Sequence, residues 1–204
     1  MSHTFALLVP VKTLTLAKSR LVVAGNDERQ ALMRAFALDA IAAASRCPAV
    51  AQVYVVTDEP GFEVDGAVRL DDEGDGDLNR ALQHASLRAR LVDPTLGVAA
   101  MCADLPSLTA DDLAIGLDAG LAPRWFVADA SGSGTTLLAA GPGMELGPHF
   151  GGHSAYRHEQ SGAAPVRVDV PTLRQDVDTE ADLLAARQLG VGMHTSRVLE
   201  PAGS

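Results

Sequence analysis

Between residues 5 and 102 the sequence alternates apolar runs too short for helices with stretches whose apolar residues recur every three or four positions. Phe5–Val11 carries no polar side chain, as expected of a strand buried on both faces. Asp27, with Gln30 three residues on, offers a helix N-cap. Leu32, Ala35, Phe36, Ala40 and Ala43 follow at helical spacing, and Pro48 ends that helix. Gln52–Thr57 is β-branched and reads as a strand, and Val68–Leu70 as a short third one. Asp71–Asp77 reads as a solvated acidic loop. Leu78, Ala81, Leu82 and Ala85 form the next helical stripe, and Gly97–Cys102 the next strand. A β-α-β-α-β order of this kind predicts an α/β domain with a mostly parallel sheet.

The second half is spaced more closely. Thr109 with Asp112 predicts a capping box for a helix over Leu113–Leu117. Arg124–Ala128 and Thr135–Ala139 read as strands around Gly132-Ser133-Gly134, and their closer spacing suggests an antiparallel extension or a small lobe. Residues 141–162, rich in Gly, Pro and His, read as an irregular excursion, and Val166–Val170 as a strand. Thr179 with Asp182 caps a last helix through Leu189. From about residue 196, and above all from Leu199 to Ser204, the chain reads as a flexible tail. Residues 1–204 are expected to form one domain.

Composition narrows the function. At 47% hydrophobic and 21% charged, the chain is not disordered. Its net charge of −10 disfavours nucleic acid and anionic membranes as partners, so an anionic ligand needs a local cluster of cations, amides or metal ions. The two cysteines, Cys47 and Cys102, make no disulfide framework, and they fit a reducing cytoplasm. No apolar run reaches membrane-helix length, and no signal peptide is expected.

Ligands of open α/β sheets gather at the carboxyl ends of strands, so the residues that follow each apolar run are the candidates. Pro10-Val11-Lys12 leads into Lys18 and Arg20, a basic loop that either clamps a polyphosphate or is simply solvated. It is not a Walker A loop, and no G-x-G-x-x-G follows a strand. Asp104, just after a buried strand, is placed either to hold Mg²⁺ or to cap the turn before Pro106. Asp176 and Asp178 alternate, so in an extended segment both carboxylates face one way and repel unless a cation lies between them; alternatively Asp178 or Thr179 is the cap of the last helix. Asp129–Thr136 and Phe150–Ser154 are read either as an anion nest or as turns.

His149, His153 and His158 do not read as a zinc site, because glycines separate the first two and the Glu of H-E-x-x-H is missing. Nor is Asp71–Asp77 a calcium loop, since its twelfth position is Leu82. With no G-x-S-x-G elbow, covalent hydrolysis has little support.

The segments Pro10-Val11-Lys12 with Ala17-Lys18-Ser19-Arg20-Leu21, Asp77–Leu82, Ala103-Asp104-Leu105-Pro106, Gly134–Leu138, Phe150–Ser154 and Asp176–Thr179 occur in that order. Together, from about Val9 to Leu189, they resemble the CofC/FbiD family, the guanylyltransferases of coenzyme F420 biosynthesis. The resemblance implies a nucleotidyltransferase fold, a glycosyltransferase-A-like α/β/α sandwich with a mixed, mostly parallel sheet. It implies transfer of GMP from GTP to a phosphorylated three-carbon acid, with release of pyrophosphate. The resemblance implies 2-phospho-L-lactate as acceptor in archaeal-type members, phosphoenolpyruvate in many bacterial ones and 3-phosphoglycerate in others. The Ala- and Arg-rich, Lys-poor composition is that of a high-GC bacterium, so the family implies phosphoenolpyruvate here.

By position, the resemblance assigns Asp104, Asp176 and Asp178 to Mg²⁺ and Thr136, Gly151 and Ser154 to the acceptor acid. It assigns Lys12, Lys18 and Arg20 to the GTP phosphates, with Pro10 and Asn79 near the nucleotide. Asp104 and the three cations would be the catalytic groups. The first loop lacks the glycines of many sugar nucleotidyltransferases, so sugar substrates are disfavoured. A molybdopterin or sugar-acid nucleotidyltransferase and a non-catalytic nucleotide-binding protein are the alternatives. A downstream transferase of the same pathway is the expected partner for a short-lived product. Oligomeric state is not written in these residues.

Overall fold

The computed structural model describes residues 4–12 and 25–200. Its strands are β1 (Phe5–Pro10), β2 (Val50–Thr57), β3 (Ala67–Asp71), β4 (Gly97–Met101), β5 (Arg124–Ala128), β6 (Thr135–Ala140) and β7 (Ala164–Pro165). Its helices are α1 (Asn26–Ser45), α2 (Leu78–Val92), α3 (Ala110–Asp118), α4 (Ser154–Gln160), α5 (Pro171–Arg174), α6 (Glu180–Leu189) and α7 (Met193–Leu199). One sheet runs in the order β3-β2-β1-β4-β6-β5-β7. Its first four strands pair in parallel, β6 runs antiparallel to both β4 and β5, and β7 is parallel to β5. The expected α/β class, mixed sheet and antiparallel extension are all present.

Alternation along the central strands feeds two cores. Phe5, Leu7 and Val9 of β1 pack with Ala40 and Ile41 of α1 and Leu113 of α3. Ala6 and Leu8 of the same strand point the other way, to Ala81, Leu82 and Ala85 of α2. A strand covered on both faces needs an unbroken apolar run, which is why Phe5–Pro10 has one. A third cluster joins Leu32 and Phe36 of α1 to Val177 and to Leu183 and Ala186 of α6. No described helix is long and apolar enough to cross a membrane.

Several details differ from the sequence expectation. The cap of α1 is Gly25, with no side-chain hydrogen bond, and Asp27 lies in the first turn, where its charge complements the positive end of the helix dipole. At α3, Thr109 caps Asp112 as expected, but the Asp112 carboxylate accepts from the amide and hydroxyl of Thr172 instead of closing the box. Val166, Val168 and Val170 do alternate in burial, yet the ladder is confined to Ala164–Pro165 and the Val166 amide, which donates to Phe126.

Asp71–Asp77 is also more than a solvated loop. Asp72 pairs with Lys12, Asp77 caps α2, and a Cβ on buried Gly74 would lie 2.3 Å from the Asp77 carbonyl oxygen. The tail is ordered through α7, because the Asp39 carboxylate on α1 accepts from the amides of His194 and Thr195. Residues 201–204 lie outside the described residues.

The excursion over 141–162 contains α4 and is held by polar side chains. Arg124 spreads its guanidinium over the carbonyls of Leu146, Gly147 and Ser161. Asn79, at the start of α2, accepts from the Phe150 amide at 2.7 Å and donates to the Phe150 carbonyl, and Arg157 donates to the same carbonyl. His158 is fully buried and sits 2.9 Å from both the Thr135 hydroxyl and the His149 amide. Burial first, then the positive charges of His149, Arg124 and Arg157, lowers its pKa to about 4.

Two outcomes follow from these contacts. Asp39→Ala leaves two helix amides uncapped and is expected to cost about 1–2 kcal/mol in urea unfolding, with no loss expected if α7 is held by packing alone. The His158 pKa lies below its usual value, so between pH 6.5 and 4 the unfolded chain takes up a proton that the folded chain refuses. Stability therefore falls across that window as pH drops. The gap in unfolding free energy between wild type and His158→Phe should shrink by up to about 3 kcal/mol from pH 7 to pH 4. A gap that does not change with pH would contradict a buried neutral imidazole.

Candidate active site

The strand order reverses at β1. The chain goes from β1 to β2 on one side, and after β3 it returns to place β4 on the other. Such a switch point opens a crevice at the carboxyl ends of the two strands. A cavity of about 190 Å³ lies there. Pro10, Val11 and Lys12 follow β1 into it, Cys102, Ala103 and Asp104 follow β4, and Met33, Phe36 and Ala37 of α1 with Leu78 close the sides. Backbone bonds extend the sheet into both walls: Val11 donates to Val56 and Cys102 to Thr136, each at 2.9 Å.

The walls of the crevice are mostly apolar carbon, which suits the flat face of a nucleobase better than a bare phosphate. Lys12 is the cation at its mouth. Its ammonium lies 3.1 Å from Asp72, whose side chain is 6% exposed, so an internal carboxylate aims it. Sequence reading passed over Asp72 as one of several acidic loop residues; only the tertiary contact sets it apart. Lys18 and Arg20 lie outside the described residues.

Asp104 meets the distant Asp176–Asp178 segment through the backbone. The Val177 amide donates to the Asp104 carbonyl at 3.1 Å. Val177 is fully buried in the third cluster, whereas Asp176 is half-buried and Asp178 exposed, so the two carboxylates lie on the side away from the core. Thr179, not Asp178, is the helix cap: its hydroxyl accepts from Asp182, and the Asp182 carboxylate accepts from the Thr179 amide and hydroxyl. Among the described residues, no three His, Cys, Asp or Glu side chains form a ready metal cluster. Mg²⁺ does not require one, since it takes one or two carboxylates and completes its shell with phosphate and water oxygens. The donor chemistry of these segments therefore fits that ion.

The acceptor candidates line the neighbouring strand and loop. Thr136 is the second residue of β6, and Ser154 opens α4; both are buried, while Gly151 is exposed. Gly151 has φ +111°, a conformation that suits glycine. Asn79 uses its amide on the Phe150 backbone, so its visible work is shaping this loop. The Asp129–Gly134 segment is a self-satisfied turn: Asp129 accepts from the Ser133 amide and the Ser131 hydroxyl, which spends the donors an anion nest would need. At the start of α2, the Asp77 carboxyl is held below its usual range by the amides of Arg80 and Asn79.

The wider likenesses agree with this architecture. A nucleotidyl transferase from Methanothermobacter thermautotroptrophicus superposes with a TM-score of 0.59 at 15% identity, over 95% of this chain and 98% of that one. The 4-diphosphocytidyl-2C-methyl-D-erythritol synthase of Anaerococcus prevotii gives 0.57 at 12% identity, over 92% and 96%. At such identities the likeness is one of fold. In sequence, the chain is 49% identical to a phosphoenolpyruvate guanylyltransferase of Streptomyces coelicolor over 95% of each chain. It is 46% identical to one of Thermomonospora curvata, over 95% of this chain and 87% of that one. The family model for CofC-like guanylyl transferases matches residues 5–202. The chain thus belongs to the CofC-like guanylyl transferase family.

Proposed function

We propose that this enzyme transfers GMP from GTP to phosphoenolpyruvate, releasing pyrophosphate, as a cytoplasmic step of coenzyme F420 biosynthesis. The observation that carries the reading is near full-length identity of 40–49% to relatives that bear the name phosphoenolpyruvate guanylyltransferase. The site geometry supports it, with an apolar crevice, an aimed lysine and two acidic segments at one sheet edge. The product passes to a downstream transferase.

The chemistry is an in-line displacement. A phosphate oxygen of the acceptor forms a bond to the α-phosphorus of GTP, and the bond to the β-phosphate oxygen breaks. Both reactants are anions, so their mutual repulsion is the main obstacle. Asp104, Asp176 and Asp178 would hold Mg²⁺, which would supply neutralisation of the reactants' negative charge. Lys12, with Lys18 and Arg20, stabilises the departing pyrophosphate. Asp72 keeps the Lys12 ammonium at the crevice mouth. Pro10 and the apolar wall seat the nucleoside. Thr136, Gly151 and Ser154 bind the phosphate and carboxylate of the acceptor. No general base is required, because a phosphate monoester with a second pKa of about 6 is already ionised at neutral pH.

Pyrophosphate release with Mg²⁺ and GTP tests the reading, with phosphoenolpyruvate, 2-phospho-L-lactate and 3-phosphoglycerate offered in turn. Turnover is expected with phosphoenolpyruvate, and turnover with another acid alone would move the substrate assignment. Asp104→Asn should lose activity by at least about a hundredfold while keeping its thermal transition, and full activity would remove Asp104 from the mechanism. Ser154→Ala should raise KM for the acceptor more than KM for GTP; an equal rise in both would displace the acceptor site.

A further inference from the structure

We propose that His158 is a positioning residue for the acceptor acid: by joining the Thr135 hydroxyl to the His149 amide, it holds the Phe150–Ser154 loop against the strand that carries Thr136. This rests on the acceptor site proposed above and adds to it a residue that touches no substrate.

The geometry assigns the tautomer. Nε2 of His158 accepts from a backbone N–H, that of His149, so it carries the lone pair. The ring proton then sits on Nδ1 and donates to the Thr135 Oγ1, 2.9 Å away. One neutral ring therefore spans from β6, at the residue next to Thr136, to the amide immediately before Phe150. It does so from α4, four residues after Ser154. Phe150 packs edge-on to the ring with centroids 5.1 Å apart, and Phe126 of β5 lies at 5.8 Å.

The charged and titratable groups around the ring are Arg124 from β5, Arg157 on α4 and His149 on the loop. All of them disfavour a second ring proton, which would abolish the Nε2 acceptor. The ring is fully buried, so it acts through the loop and does not contact a ligand. The other loop contacts come from α2 (Asn79) and from α4 (Arg157). Among the described contacts, the His158 ring is the one that ties the loop to β6 through side-chain hydrogen bonds at both ends.

Steady-state rates of the full chain with Mg²⁺, GTP and phosphoenolpyruvate test this in wild type, His158→Asn, His158→Gln and Ser154→Ala. Asn keeps a polar atom near Nδ1 but withdraws the acceptor from the His149 amide; KM for phosphoenolpyruvate should rise about tenfold, with KM for GTP within about twofold. Gln reaches the Nε2 position with its carbonyl oxygen and should bring the acceptor KM back to within about threefold of wild type. Rescue by Gln is what a simple packing role would not give. Asn and Gln acting alike, or both KM values moving together, would overturn the proposal. If Ser154→Ala shifts the acceptor KM and His158→Asn does not, positioning by His158 is wrong and the acceptor site stands. If neither shifts it, both readings fall. Thr135→Val removes the other end of the link without disturbing a strand position, so it supplies the test if the Asn variant does not fold. A raised acceptor KM with unchanged GTP KM is expected, and an unchanged acceptor KM overturns the inference.

Discussion

A backbone hydrogen bond from the Val177 amide to the Asp104 carbonyl joins the two acidic segments of the candidate site. Asp104 stands at the carboxyl end of a central parallel strand, and Asp176 and Asp178 arrive from far along the chain. Like charges repel, so apolar burial between Asp176 and Asp178 helps to draw the two segments together. The buried residue is Val177, in the cluster with Leu32, Phe36, Leu183 and Ala186, and its amide meets the Asp104 carbonyl. Apolar burial thus offsets the electrostatic cost of collecting negative charge at one sheet edge. Chemistry with two anionic reactants needs that stored charge to be neutralised by a cation.

A second device secures the neighbouring wall. Residues 141–162 have few apolar side chains and cannot pack into place by burial alone. Their carbonyls and amides are instead taken up by Arg124, Asn79, Arg157 and His158, each reaching in from a regular element. Such a loop is ordered by polar contacts with defined geometry. The cost of leaving any of these buried partners unpaired keeps the arrangement in one state.

The strands at the centre of the sheet were legible in the sequence because burial on both faces leaves an unbroken apolar run, as in Phe5–Pro10. Helix α2 was legible through its apolar stripe and α6 through its capping box. The short pieces were not. Helix α4 lies within a Gly- and His-rich stretch with no apolar period, and α7 is ordered by Asp39, 155 positions from its bonding partner His194. Asp72 and His158 were hidden for the same reason: their significance lies in partners distant in sequence. The order of motifs carried the family and the candidate aspartates, of which Asp104 follows strand β4 while Asp176 and Asp178 follow the short helix α5. The turn at Asp129–Gly134 went the other way, its donors spent on its own carboxylate.

The proposed function has the two acidic segments hold a shared divalent-metal site beside the nucleotide. Binding of Mn²⁺ as a paramagnetic stand-in, measured by electron spin resonance with GTP present, tests it in wild type, Asp104→Asn, Asp178→Asn and the double variant. If the segments share an ion, each single change weakens binding by at least about tenfold, and the double variant falls well short of the product of the two losses. Wild-type affinity in Asp178→Asn, or losses that multiply in full, would contradict the account.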